Sequence, residues 1–363
     1  MYPRLTINLQ KLKNNLDAVA EITKKQGGCS LMIVTKALCA DPEMIDLVSR
    51  HPAVDFMADS RTQNLKTYAG KAKERGKQTV LLRIPMECEL KETVAFADIS
   101  FNSEPETLKL LSEEAGRQEK THKVVLMIDL GDLREGIFYQ NETEIFAAAE
   151  LVLKLEHLEL YGIAVNLTCY GAIIPKHDNL SLLCQWAEKI ENKFGIRLQM
   201  ISGGNSSSIY LIERGELPEK INNLRLGESF LLGNDTAYGT KLPGTTDDAL
   251  ILEAQIVELK EKPSLPVGEV GVDAFGQKPH YEDRGIIKRA IIAIGRQDTD
   301  PDSMEPLDKG VDILGASSDH MILDVTKSEI PYKVGDIVSF KLGYGGMLAC
   351  ATSPYVEKGY LGS

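Results

Sequence analysis

Disulfide and metal frameworks are missing from this chain. Its six cysteines (Cys29, Cys39, Cys88, Cys169, Cys184, Cys350) are scattered and include no CxxC pair. Spacing that would build a disulfide scaffold or a zinc site is absent, so free thiols are expected. No apolar run approaches the roughly 18 residues that a membrane span needs. The opening Met1-Tyr2-Pro3-Arg4-Leu5-Thr6 passes into a periodic segment without a signal-peptide core, so a cytoplasmic protein is expected. Positive charge is also short: 41 Lys and Arg face 53 Asp and Glu, a net −12 at pH 7. A phosphate backbone is held by clustered cations, so this balance disfavours nucleic acid as a partner. It suits a cationic small substrate, although net charge speaks to solubility more than to a site.

Other chemistries fall away on spacing. The histidines (His51, His122, His157, His177, His280, His320) form no close pair at ligand spacing. Asp298, Asp300 and Asp302 alternate as in a calcium loop, but Ser303 and Lys309 stand where Gly and the closing Glu are required. No metal is therefore expected. Ser206–Ser208 lacks the nucleophile-elbow pattern of a serine hydrolase.

What is present is alternation. Up to about residue 235, short apolar runs exchange with longer amphipathic stretches. Strands are predicted at Cys29–Thr35, Val54–Met57, Thr79–Ile84, Ala97–Phe101, Val124–Asp129, Leu160–Asn166, Arg197–Ile201 and Ile221–Leu226. Helices are predicted at Pro42–Arg50, Glu104–Arg117, Glu142–Leu155 and Asn179–Phe194. Apolar runs bounded by polar and Gly residues fit strands buried on both faces. Eight such units across about 200 residues fit an α/β fold of the (β/α)₈ TIM-type barrel, spanning 10–235. A doubly wound open sheet is the alternative, because strand counting does not show closure. Beyond Leu242 the runs Leu250–Leu259, Arg289–Ile294, His320–Val325 and Ile337–Leu342 are separated by Pro, Gly and Asp clusters. They predict a C-terminal mostly-β domain over 240–363, with a strand at 1–9 packing on it.

In a (β/α)₈ barrel the active site lies at the carboxyl ends of the strands. Lys36 directly follows the first predicted barrel strand. Such a residue is ordinarily a solvated exit residue, but other polar signals fall at the same level. Asp129-Leu130-Gly131-Asp132-Leu133-Arg134-Glu135-Gly136 follows the fifth strand and puts Arg134 at the rim. Asn166-Leu167-Thr168-Cys169-Tyr170-Gly171 follows the sixth, and Ser202-Gly203-Gly204-Asn205-Ser206-Ser207-Ser208 the seventh. Arg225-Leu226-Gly227-Glu228 closes the eighth. Glycines that allow close backbone approach, with hydroxyls at a helix start, suit a phosphate dianion. A Lys able to form an imine, a phosphate cradle and two rim arginines together point to a pyridoxal site.

At these residues the chain resembles the alanine racemase family, the barrel-type (fold-type III) enzymes that use pyridoxal 5′-phosphate. The resemblance covers nearly the whole length, from Leu5–Leu16 through Val34-Thr35-Lys36-Ala37 and Arg225-Leu226-Gly227 to Gly315–Val325, Val334-Gly335-Asp336 and Ser353-Pro354 with Tyr360. It implies that Lys36 carries the cofactor as a Schiff base and then acts as a base at Cα. It places Asn205-Ser206, the backbone of Gly227 and Glu228, and the Tyr360 hydroxyl around the phosphate. Arg225 would face the pyridine nitrogen, Asn166 the ring, and Arg134 the cofactor oxygen and substrate carboxylate. A guanidinium at the pyridine nitrogen favours racemisation over decarboxylation. The implied assembly is a homodimer in which the β domain of one subunit completes the other's site, with Asp319 binding a distal ammonium. Segments such as Phe56–Arg61 and Asn166–Gly171 imply ornithine as the substrate; alanine and lysine are the alternatives.

Departures from the family pattern bear on mechanism. Arg296 stands where the family's second catalytic base, a Tyr, is found, and Met127 where it has a carbamylated lysine. The Tyr that follows the cofactor lysine has no counterpart near Cys39-Ala40-Asp41. A proton source opposite Lys36 is then expected from Tyr281 or His280, followed by Cys169 and Tyr170, or from a one-base route through Lys36. A decarboxylase and a non-catalytic protein of pyridoxal phosphate homeostasis are competing readings. The added β domain argues against the second.

Overall fold

The computed structural model describes residues 1–276 and 278–362, which separate into two compact units. One comprises residues 12–246 and the other residues 1–11 with 247–362.

In chain order the elements are β1 (Arg4–Asn8), α1 (Leu9–Lys24), β2 (Ser30–Val34), α2 (Pro42–Arg50), β3 (Val54–Asp59), α3 (Thr62–Glu74), β4 (Gln78–Leu81), α4 (Leu90–Phe96), β5 (Ile99–Asn102) and α5 (Pro105–Arg117). They continue with β6 (His122–Asp129), β7 (Ile137–Phe138), α6 (Glu142–Lys154), β8 (Leu158–Ala164), α7 (His177–Phe194), β9 (Met200–Ser202), α8 (Ile209–Arg214), β10 (Asn223–Leu226) and α9 (Glu228–Leu232). Strands β2, β3, β4, β5, β6, β8, β9 and β10 pair in parallel in that order, and β10 returns to pair with β2. The sheet is therefore a closed barrel, which decides against the doubly wound alternative. Short β7 attaches outside the ring to β6.

Local chemistry sets the element ends. Asp41 caps α2 by accepting from the amides of Glu43 and Met44 at 3.2 Å, with Pro42 at the first helical position. Gly195 ends α7 at φ 64, a left-handed cap that glycine adopts without a Cβ penalty. Inside the ring, alternate residues of seven strands pack on one another: Met32, Val34, Phe56, Ala58, Val80, Ile99, Phe101, Val125, Met127, Ala164 and Met200. Their neighbours Leu31, Ile33, Met57, Val124 and Leu126 are buried on the other face, so the strands read as continuous apolar runs. Five barrel strands, β2, β4, β5, β9 and β10, are shorter than predicted, and the last two show why. β9 starts only at Met200, because the Glu191 carboxylate and carbonyl take the amides of Leu198 and Ile196. β10 starts at Asn223, after a turn in which the Ile221 amide donates to the Pro218 carbonyl.

The second unit is a sheet of antiparallel strands. β11 (Leu250–Pro263), β12 (Ile286–Ile292), β13 (Met304–Pro306), β14 (Asp312–Ala316), β15 (Met321–Asp324) and β16 (Ile337–Leu342) pair in the order β13-β16-β11-β12-β15-β14. α10 (Tyr344–Thr352) and β17 (Glu357–Leu361) follow, and β1 pairs with both β11 and β17. Helix α10 has no counterpart in the predicted elements. Its first turn contains Gly345 and Gly346, which lower helix propensity. The structure uses them for close approach, since a Cβ at Gly346 would meet the Ser303 carbonyl oxygen at 2.6 Å.

A buried histidine sits in the barrel wall. His122, at the start of β6, is 3% exposed and its Nε2 lies 2.8 Å from Ser100 Oγ. Burial lowers its pKa from 6.5 to about 4. Between those values the unfolded chain binds a proton that the folded chain does not, so stability is lost as pH falls through this window. The loss amounts to at most about 3 kcal/mol at its acid end. His122→Gln is expected to show a smaller drop in Tm between about pH 7 and about pH 5 than the parent protein. Equal drops measured by calorimetry would remove His122 from this role.

Candidate active site

The carboxyl ends of the barrel strands gather eight of the sequence-derived residues: Lys36, Arg134, Asn166, Asn205, Ser206, Arg225, Gly227 and Glu228. Lys36 opens a short 3₁₀ turn after β2 and is exposed. Beneath it, the Thr35 hydroxyl donates to Asp59 Oδ2 at 2.7 Å and lies 3.2 Å from the Tyr68 hydroxyl. Burial raises the Asp59 carboxyl, opposed by hydrogen bonds from Thr35 and Asn64, and burial also raises the Tyr68 phenol. This polar layer holds the end of β2 against β3.

Strand pairing brings β10 beside β2, with Leu226 opposite Ile33. Gly227 then packs on Val34, where an added Cβ would approach the Val34 side chain to 3.3 Å. Glu228 is half-buried. Its carboxyl is raised chiefly by burial, and Asn234 and the charge of Lys36 oppose that shift. Its cationic neighbour is thus Lys36, and the carboxylate is not the group beside Arg225.

Arg225 is 4% exposed. Its guanidinium donates to Ser202 Oγ at 2.8 Å and to the Val165 carbonyl at 2.7 Å, and it lies 5.3 Å above the Phe101 ring. Burial lowers it to about 10, with charges at Glu135 and Cys169 opposing and Arg134 adding to the shift. A buried cation held by neutral acceptors is costly unless a further acceptor completes it. Arg134 forms a two-point ion pair with Glu135 that raises its pKa.

Ser206 Oγ accepts from the amides of Gly227 at 3.3 Å and Ser229 at 3.2 Å. The start of α9 thus turns the amides on either side of Glu228 toward this hydroxyl. Asn205 Oδ1 caps the turn by accepting from the Ser207 amide, while Asn205 Nδ2 reaches Asn166 Oδ1, the Leu167 carbonyl and Cys169 Sγ. Two buried polar atoms here have no protein partner: Asn166 Nδ2 and Ser207 Oγ.

Asp132 is a residue of this region that sequence reasoning left without a role. It is 1% exposed, and its carboxylate accepts from the amides of Cys169 (3.3 Å), Tyr170 (2.9 Å) and Ile173 (3.2 Å). It fixes the loop after β8 from the loop after β6. The signal available in the sequence was a second acid in Asp129-Leu130-Gly131-Asp132, where Asp129 caps the Gly131 and Leu133 amides. Left-handed backbone also concentrates here. Among the described residues the non-glycine positions with positive φ are Cys39, Ala40, Leu133, Thr168, Ala172 and Glu119. All but Glu119 lie on loops at the barrel's carboxyl end, and strain of this kind collects at functional sites.

The remaining three expected residues belong to the other unit. Tyr281 lies on a stretch between β11 and β12 without helix or strand and is exposed, as is His280. Asp319 is exposed and accepts from His320 Nδ1 at 2.9 Å, the bond that chiefly lowers its carboxyl. Tyr360 stands on β17 opposite Ile7. Arg296, expected in the place of the family Tyr, is engaged with Asp302 at 3.2 Å and stacks over Phe275.

A closed parallel barrel with a lysine and a Gly/Ser turn at its carboxyl end, on a chain that also carries an antiparallel-strand C-terminal unit, defines the class. Residues 7–234 match the family described as alanine racemase, N-terminal domain, and the chain belongs to that family. It is 53% identical over 358 residues to ornithine racemase of Acetoanaerobium sticklandii, covering 99% of both chains. It is 38% identical over 362 residues to lysine racemase of Thermotoga maritima, again covering 99% of both. The fold also matches alanine racemase from Bartonella henselae with covalently bound pyridoxal phosphate, at TM-score 0.71 and 15% identity over 99% of both chains. Among the described residues no helix is long and apolar enough to cross a membrane.

Asp132→Asn replaces one acceptor oxygen with a donor facing backbone amides. The expected result is a loss of about 1–3 kcal/mol and faster hydrogen exchange at Cys169, Tyr170 and Ile173. Unchanged protection of those amides would show that the loop holds itself.

Proposed function

We propose that this protein is a pyridoxal 5′-phosphate-dependent racemase that interconverts the enantiomers of ornithine. The observation that carries this reading is 53% identity to ornithine racemase across 99% of both chains. The residues present fit the cofactor. Asn166 Nδ2 and Ser207 Oγ are buried polar atoms without partners, and Arg225 is a buried cation that lacks a paired anion. Lysine is the second reading, supported by 38% identity to lysine racemase.

When bound, the cofactor draws electron density away from Cα of an attached amino acid, which makes the Cα proton removable. Lys36 would anchor it and then hold or return that proton at Nζ. Ser206, Asn205, the backbone of Gly227 and Glu228, and the Tyr360 hydroxyl would bind the phosphate. Arg225 would donate to the pyridine nitrogen, since Ser202 and Val165 already fix the plane of its guanidinium. A permanent cation there keeps that nitrogen unprotonated and so favours racemisation. Asn166 would pack against the ring, and Arg134 would orient the substrate carboxylate. Asp319, exposed in the single chain, would select a cationic side chain once a partner copy covers it, because a carboxylate taken out of water discriminates strongly against an apolar group. The proton opposite Lys36 would come from Tyr281, His280, Cys169 or Tyr170. The working form would be a cytoplasmic homodimer, with the barrel of 10–235 as the cofactor domain and 240–363 as the domain lent between copies.

Purified protein loaded with pyridoxal phosphate and given single enantiomers of ornithine, lysine or alanine is expected to racemise ornithine fastest by chiral chromatography. Lys36→Ala should lose both turnover and borohydride-stable attachment of the cofactor. No conversion of any enantiomer by the loaded protein would overturn the reading.

A further inference from the structure

The reaction proposed above needs a proton group facing Lys36 across the barrel mouth, and Arg296 has taken the place of the family's tyrosine. We infer that the thiol of Cys169 is this group. The inference rests on the racemase reading and deepens it.

Position comes first. Lys36 rises from the end of β2, and Cys169 lies on the loop after β8. Going round the ring, β2 and β8 are separated by β10 and β9 on one side and by β3, β4, β5 and β6 on the other. The two residues therefore follow strands three places apart in the ring of eight, on different sides of the mouth.

The thiol is exposed, yet its backbone is held firmly. The Cys169 amide donates to the buried Asp132 carboxylate, and the adjacent Tyr170 amide does the same. Thr168, the preceding residue, is forced to φ 62, which a β-branched residue rarely adopts. This conformation and the Asp132 bonds together fix the course of the backbone at Cys169. Asn205 Nδ2 lies 3.4 Å from Cys169 Sγ and also donates to Asn166 Oδ1, so one amide ties the thiol to the residue expected at the cofactor ring. Asn166 itself is 7% exposed and its Nδ2 has no partner, an independent mark of a polar ligand at this spot. Arg134 and Arg225 both respond to the charge of a thiolate at Cys169, so the anion left by proton delivery is met by two cations.

The step balances without oxidant or reductant. Lys36 Nζ takes the proton from one face of Cα: a C–H bond breaks and an N–H bond forms, leaving the electron pair with Cα. On the other face the S–H bond of Cys169 breaks as that pair forms a new C–H bond, leaving the thiolate. Solvent then returns both groups to their starting protonation, and the reverse direction exchanges their roles.

Two measurements test this on the intact, cofactor-loaded protein. Iodoacetamide labelling read by peptide mass spectrometry should be slowed about tenfold or more at Cys169 by pyridoxal phosphate with ornithine, while exposed Cys88 reacts as before. In deuterated solvent, Cys169→Ala should lose about 10²-fold or more of racemisation and of exchange from one enantiomer. Exchange from the other enantiomer, driven by Lys36, should persist. Cys169→Ser, with the same loop and a weaker acid, should fall between. Unaltered labelling at Cys169, or racemisation and exchange by Cys169→Ala at parental rates from both enantiomers, would overturn the inference and leave the racemase reading standing. A parental protein that racemises no amino acid would overturn the racemase reading itself.

Discussion

The pairing of β10 with β2 joins segments about 190 residues apart in sequence, Asn223–Leu226 with Ser30–Ile33. Everything at the candidate site follows from that closure. It turns an open run of strands into a ring, sets Gly227 against Val34, and brings the charge of Glu228 within reach of Lys36. It also aims Arg225 inward over Phe101, from the far side of the ring. Loop-closure cost rises only slowly with length, so a contact this distant is thermodynamically affordable once the intervening strands have paired. The closing edge also removes two exposed strand edges that would otherwise invite aggregation.

Inside the ring the apolar packing stops below the mouth, and a polar layer takes over. Its members are buried and mostly held by neutral partners: Thr35 with Asp59, Ser202 with Arg225, Ser206 with two amides. A low-dielectric surround strengthens each of these bonds and makes each missing one costly. The unpartnered atoms of Asn166 and Ser207 and the lowered affinity of Arg225 for its proton are consequences of the same burial. The rim loops are held differently. Asp132 gathers three amides of the loop after β8, and that tether sustains left-handed backbone at Thr168 and Ala172. The core thus fixes the residues at the barrel mouth, while a single buried carboxylate fixes the loop that carries Cys169.

The C-terminal unit shows where local sequence signals fail. Its strands are partly legible, but α10 is hidden by Gly345 and Gly346, whose value lies in contact with Ser303 and not in propensity. Gly295 is similar. A Cβ there would come within 2.4 Å of the Ser318 carbonyl and the Asp319 amide, so glycine is what permits the Asp319 turn to sit against it. Neither contact can be inferred from residues adjacent in sequence.

By itself the sequence determined the alternation of buried strands and amphipathic helices, and the grouping of Lys36, Arg134, Asn166, Ser206 and Arg225 at one level of the chain's repeat. Strand ends recur at regular intervals in a parallel barrel, so a residue's place after its strand reports its height in the fold. Tertiary structure alone decided closure, the role of Asp132, the convergence of the Gly227 and Ser229 amides on the Ser206 hydroxyl, and the meeting of Asn205 with Cys169. Those depend on directions of amides and side chains converging from strands far apart in sequence. Spacing along the chain encodes height and order, and only packing encodes which groups face one another.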